Sequence, residues 1–132
     1  MLLDRENTLT RKIIGCCFEV HSKLGTGFDE KTYHKALIEI FKRASINFDT
    51  EKTYPVFFEN TKIGFKRLDL IIENRLIVEV KAVKGYLPDI YRQQLTSYLK
   101  LTKLCVGLLV NFGNNRCVVK RYLNDPPIRA IR

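Results

Sequence analysis

The sequence predicts an α/β (α+β) fold, a mixed β-sheet with helices on its faces. Three observations carry that expectation. Residues 68–83, LDLIIENRLIVEVKAV, form two apolar runs separated by Glu73-Asn74-Arg75, the pattern of a β-hairpin. Two stretches with helical apolar spacing precede this hairpin, and one follows it before two further strands. Strands in direct succession pair antiparallel, whereas a helix between two strands lets them run parallel, so the sheet should be mixed.

The first helix is expected over residues 8–24. Ile13, Cys17, Val20 and Leu24 recur at helical spacing, with Ile14, Phe18 and His21 beside them. Gly25-Thr26-Gly27 ends it, the glycines serving backbone geometry. Asp29 suits the N-cap of a second helix that runs to about Ala44, with Tyr33, Leu37, Ile40, Phe41 and Ala44 as its apolar stripe. Residues 50–58 read as a strand in which Pro55 marks an edge position or a bulge. Glu59-Asn60 is a turn, and the two central strands follow at about 62–72 and 76–83. Gly85 breaks the pattern, and Pro88 suits the first turn of a helix over about 88–101. Residues 104–110, LCVGLLV, suit a strand buried on both faces. A turn over 111–115 and a last strand over 116–122 complete the pattern, and the basic tail 124–132 is expected to fray.

With 132 residues the chain is long enough for one domain with a real core. No apolar run approaches the roughly 18 residues of a membrane span, and the N-terminus lacks the apolar segment of a signal peptide. Cys16, Cys17, Cys105 and Cys117 lie in apolar segments without a C-x-x-C spacing. They read as small core residues in a reducing cytoplasm. The net charge is +9, from 23 Lys and Arg against 14 Asp and Glu. That balance favours an anionic partner, nucleic acid before acidic lipid or acidic protein.

The hairpin's register follows from its pattern. A three-residue loop, Glu73 to Arg75, sets Ile72 against Leu76, Leu70 against Val78 and Leu68 against Val80, all apolar. The other face then pairs Ile71 with Ile77, Asp69 with Glu79 and Arg67 with Lys81. Directly opposed Cβ atoms lie about 4.5–5.5 Å apart, so the two carboxylates repel unless a cation lies between them. Mg²⁺ is commonly held by one or two carboxylates with water and phosphate oxygens. Arg67 and Lys81 would place positive charge where a phosphate sits. The plainer alternative is a half-exposed hairpin with a solvated charged face.

An Asp on one strand followed by Glu-Val-Lys on the next resembles the signature of the PD-(D/E)XK nuclease superfamily, with Asp69 as its Asp and Glu79-Val80-Lys81 as its E-x-K. Gln94 and Tyr98 in RQQLTSYLK resemble the Q-x-x-x-Y motif of its RecB-like branch, and the i, i+4 spacing puts both on one helix face. Gly27-x-x-Glu30-x-x-Tyr33, together with EVHSKLG before it, is similar to the small GxxExxY family within that superfamily. The likeness covers roughly residues 10–123. One departure is Leu68, where the superfamily motif carries Pro.

The resemblance implies an α-β-β-β-α-β restriction-endonuclease-like core and a metal-dependent nuclease acting on DNA or RNA. It implies Mg²⁺ or Mn²⁺ held by Asp69 and Glu79, with the Val80 carbonyl and Glu30 as further ligands. Lys81 would position water or neutralise charge on the phosphorane, and Gln94 and Tyr98 would orient the metal shell or the phosphate. Lys62, Lys66, Arg67, Lys84 and Arg92 would track a nucleic-acid backbone, or else form a solvated face. Glu30 could instead simply favour a helix dipole, and Gln94 could face solvent. Tyr33 reads as helix packing before chemistry, and for His21 a structural and a catalytic role are both open. The rival to a nuclease is a non-catalytic protein of the same fold that binds nucleic acid or a protein partner. With no separate DNA-reading part visible, a homodimer or a partner would be needed for much specificity.

Overall fold

The computed structural model describes the backbone of residues 2–124 and the side chains of residues 7–124. The basic tail from residue 125 onward lies outside the described residues. In chain order the elements are α1 (Leu2–Leu24), α2 (Glu30–Arg43), β1 (Phe48–Phe58), β2 (Thr61–Ile72), β3 (Leu76–Lys81), α3 (Asp89–Thr102), β4 (Val106–Asn111) and β5 (Val118–Leu123). The strands form one five-stranded sheet in the order β1-β2-β3-β4-β5. β3 and β4 run parallel across the α3 crossover, and the other neighbours run antiparallel. This is the mixed α+β architecture expected from the sequence.

Each boundary has a local cause. Asp29 caps α2 by accepting from the Thr32 N–H at 2.9 Å. α1 begins earlier than residue 8, because Asp4-Arg5-Glu6-Asn7 extends the helix without continuing the apolar stripe. β3 stops at Lys81 rather than 83. Beyond it the Asn111 side chain takes over both main-chain groups of Val83, accepting from its N–H at 2.9 Å and donating to its carbonyl at 2.8 Å. Gly113 completes that junction, since a Cβ there would come within 2.4 Å of the Val83 carbonyl oxygen.

The helices cover the two sheet faces. α1 and α2 bury Ile13, Cys17, Leu37 and Phe41 against Leu70, Ile72, Val78, Val80, Leu108 and Val110. α3 buries Leu95, Tyr98 and Leu99 against Leu68, Ile71, Ile77 and Leu109 on the other. β4 is buried along its whole length, which accounts for its unbroken apolar run. All four cysteines are free. Among the described residues, no helix is long and apolar enough to cross a membrane.

The hairpin register holds at Ile72↔Leu76, Ile71↔Ile77 and Leu70↔Val78, and the ladder ends there. The expected pairings of Asp69 with Glu79, Leu68 with Val80 and Arg67 with Lys81 do not form in the ladder. Leu68 instead joins the α3-side core with Ile71, while Leu70 belongs to the α1/α2-side core. Strict alternation would put Leu68 and Leu70 on one face, so the strand's alternation breaks at Asp69. Leu70 is fully buried, with 0% exposure. Leu70→Ala is expected to destabilise the fold by about 2–5 kcal/mol whether or not a divalent metal is present, as read from chemical denaturation.

Candidate active site

The break at Asp69 creates the site. β2 and β3 part beyond Leu70↔Val78, and the Val80 N–H donates to Asp69 Oδ2 at 3.4 Å. The carboxylate therefore sits at the seam where the two strands part. On the α2 side it lines a cleft of about 450 Å³ together with Glu30, His34, Thr50, Glu51 and Val80. Lys31 and Lys35 add positive charge to the wall of this cleft.

Glu79, on the neighbouring strand, is only 5% exposed, and its Oε1 has no hydrogen-bond partner. Burial pushes its carboxyl up to about 9, helped by the charge of Asp69 and by a hydrogen bond with it, against an opposing pull from Lys81. A carboxyl with that history holds a proton at neutral pH, because low dielectric and a like charge both disfavour its ionised form. The Tyr98 hydroxyl is also pushed upward, first by burial and then by the charges of Glu79 and Asp69. Tyr98 thus comes to the carboxyl pair from α3. Lys81, half-buried, holds its Nζ 4.3 Å from the centroid of the Tyr91 ring, a cation–π contact that fixes it on the α3 side.

The arrangement rests on main-chain geometry. The Phe112 N–H donates to the Lys81 carbonyl at 2.8 Å, and Lys81 pairs with Asn111 in the parallel ladder. Asn111 is 2% exposed and ties the end of β4 to the segment after β3. It therefore positions the strand end that carries Lys81.

A family model described as the PD-(D/E)XK nuclease superfamily matches residues 7–122. The chain belongs to this superfamily. No curated protein matches the sequence. Among solved structures the chain is similar to the crystal structure of SSO0001, with 26% identity and a TM-score of 0.57. That likeness covers 72% of this chain and 50% of the other, so the present chain spans about half of that structure's length.

In this PD-(D/E)XK protein Asp69, Glu79, Lys81 and Tyr98 come together, with Val80 beside Asp69 in the cleft. Glu30 is exposed on the cleft wall. Gln94 shares a helix face with Tyr91 and Tyr98 but is exposed, and no described hydrogen bond engages it. Four residues lie elsewhere. His21 stacks on Phe112, its Nε2 2.7 Å from the Asn114 carbonyl. Tyr33 is fully buried, lies parallel to Phe112 at 4.5 Å and donates its hydroxyl to the Gly25 carbonyl at 2.6 Å. Both are packing residues that hold the helix loop against the end of β4. Arg92 forms a two-pronged pair with Asp89, at 2.7 and 2.9 Å. Lys84 lines a separate polar hollow with Gly27, Phe28 and Asn114.

Sequence reasoning missed His34 and Asn111. His34 is one helical turn after Glu30 and meets the Thr50 hydroxyl at 3.0 Å, so the i, i+4 spacing was an available signal. Asn111 ends an apolar run and looks like an ordinary turn residue; nothing local marks it.

Among the described residues, no group of three or more His, Cys, Asp and Glu side chains is placed to hold a metal ion. Zinc, which takes three or four such ligands, does not suit this set. A hard ion that takes one or two carboxylates and fills its remaining positions with carbonyl, water and phosphate oxygens does fit. The orphaned Glu79 Oε1 and the close approach of the buried Glu79 carboxyl to Asp69 are what such a cation would relieve.

Proposed function

We propose that this chain is a metal-dependent nuclease that hydrolyses phosphodiester bonds of DNA or RNA. The observation that carries this reading is the hydrogen-bonded Asp69–Glu79 carboxyl pair, with Glu79 buried and one of its oxygens unpartnered, and with Lys81 alongside. Mg²⁺ or Mn²⁺ would be held by Asp69 and Glu79, with the Val80 carbonyl and Glu30 completing the protein's share. When bound, such an ion polarises the scissile phosphate and makes water acidic enough to attack near neutral pH.

The residues supply the rest. Glu79 would give up its proton on becoming a ligand, which would couple metal binding to proton release. Lys81, held in place by the Tyr91 ring, presents a fixed positive charge to the phosphate as negative charge grows on it. Tyr98, and Gln94 one turn before it on α3, would orient the phosphate or the ligand carboxylates. Lys31 and Lys35 on the cleft wall draw the polyanion in. Lys62, Lys66, Arg67, Lys84 and Arg92 extend that attraction along the surface.

A GxxExxY affiliation within the superfamily is part of the same proposal. In that motif Gly27 and Tyr33 shape the loop and Glu30 faces the cleft. A second reading, a nuclease-fold protein that binds nucleic acid or a protein partner without cutting, draws on the small number of clustered acidic ligands.

The test is a cleavage assay on single- and double-stranded DNA and RNA with Mg²⁺, Mn²⁺ or EDTA, with Lys81→Ala purified in parallel. Metal-dependent cutting by wild type alone is the expected result. Equal cutting by both proteins marks a contaminant, and none by either favours the binding reading. Binding should also weaken steeply between low and moderate salt, because neutralised phosphates release condensed counterions.

A further inference from the structure

The β1–β2 hairpin is longer than the sheet it belongs to. β1 and β2 pair from Phe48↔Ile72 out to Phe58↔Thr61, whereas β2 meets β3 only over 70–72. The outer part, residues 53–67, thus lies beyond the described β2–β3 ladder as a two-stranded arm. It exposes Phe57 (57%), Phe58 (66%), Ile63 (63%) and Phe65 (58%). Exposed apolar side chains in such a cluster mark a binding surface.

Charge decides what covers it. Residues 53–67 carry Lys62, Lys66 and Arg67 against the single acidic Glu59. Lys62 stands opposite Phe57 in the hairpin, and Lys66 and Arg67 follow Phe65. Two such arms repel each other. Edge-to-edge pairing through β1 is further blunted by Pro55, which has no N–H to donate, and by a register shift between Val56 and Phe57. An anion with apolar faces satisfies both features. Duplex DNA or RNA offers the arm phosphates but keeps its bases stacked inside, leaving the phenylalanines without a partner. An unpaired strand offers phosphates and bare base faces together, and aromatic side chains interleaved with cations are how such strands are held.

The arm also points the right way. Leu68 faces the α3 side, so alternation puts Arg67 and Phe65 on the other side, the one where Asp69 lines the cleft. Phe65 lies about 13 Å along the strand from Asp69, at about 3.3 Å per residue.

We propose that the β1–β2 arm is a stacking platform for unpaired nucleic acid, with Phe57 and Phe65 under the bases and Lys62 and Arg67 on the phosphates. The cleft would then act on a single strand that leaves it along the arm. The proposal rests on the nuclease reading for its cleavage consequence but not for its binding consequence.

The experiment measures binding of a labelled 20-nucleotide oligo-dT and of a 20-base-pair duplex by fluorescence anisotropy, in EDTA to prevent cutting. Wild type, Phe65→Ala, Phe57→Ala and Phe65→Trp are compared. Each alanine variant should weaken oligo-dT binding about 5- to 150-fold and leave duplex binding unchanged, while Phe65→Trp restores the affinity. The substituted side chains are exposed, and unchanged melting temperatures would show that the fold is intact. Equal loss on duplex and single strand, or no loss on either, overturns the proposal. So does a sedimentation result in which wild type is dimeric, Phe65→Ala is monomeric and both bind oligo-dT alike, since the occupant is then a second copy. Failure of the nuclease reading looks different: no metal-dependent cutting by wild type, with the arm's effect on oligo-dT binding still present.

Discussion

Lys81→Ala is expected to lower the cleavage rate by about 10²–10³-fold with little change in substrate affinity at low salt. Its ammonium lies over the Tyr91 ring beside the carboxyl pair, where its charge matters most once negative charge has built up on the phosphate. A group that acts in the transition state lowers kcat and kcat/KM together. Substrate binding is spread over many surface cations, so one lysine contributes little to KM. Asp69→Asn should reduce cleavage at least as far, because it removes a ligand as well as a charge. Single-turnover cleavage with Mn²⁺ measures both. A Lys81→Ala enzyme whose KM rises while kcat is preserved would place Lys81 among the binding cations instead.

The second large effect concerns stability without metal. The Glu79 carboxyl is raised from 4.5 to about 9, chiefly by burial and then by Asp69. Below the lower value both the folded and the unfolded chain hold the proton, and Glu79's favourable share of stability is fully present. Between the two values the folded protein keeps a proton that the unfolded chain has released. Stability therefore falls as pH rises through this window, by up to about 1.4 kcal/mol per pH unit for this one group. Glu79→Gln is neutral at every pH and should remove that slope, so in EDTA its advantage over wild type should grow from pH 5 to pH 8.5. Denaturant titrations across this range check the sign. A wild type that gains stability over Glu79→Gln as pH rises would contradict the buried, proton-bearing state of Glu79.

Much of the fold was legible because its signals are local. Apolar spacing marks α1, α2 and α3, and the unbroken run at 104–110 marks the buried strand, which the structure places at Val106–Asn111 as β4. The register through Leu70↔Val78 followed from separating apolar from charged residues. What failed was the next rung. Regular alternation would continue past Asp69, but the strand changes face there, and Leu68 packs under α3. No pattern of residue types announces such a break, because Leu68 is apolar on either face. The same break puts Asp69 in the seam, so the site depends on the irregularity that the pattern could not contain. His21 and Tyr33 drew attention as polar groups within helical stripes. Their partners, the Asn114 carbonyl and the Gly25 carbonyl, are backbone atoms that a sequence does not display. The four exposed apolar residues of the arm read equally well as core until the sheet's extent is known.

The central claim is that Asp69 and Glu79 together hold a divalent ion, and thermal melting with and without Mn²⁺ tests it most directly. Wild type should gain about 2.7 kcal/mol when free Mn²⁺ is about 100 times its dissociation constant, because the ion binds only the folded pair. Asp69→Asn, which has lost a ligand, should gain little from Mn²⁺. Leu70→Ala should melt lower throughout yet keep the wild-type Mn²⁺ shift, which separates loss of packing from loss of a ligand. Equal Mn²⁺ shifts in wild type and Asp69→Asn, or none in wild type, would contradict the metal site.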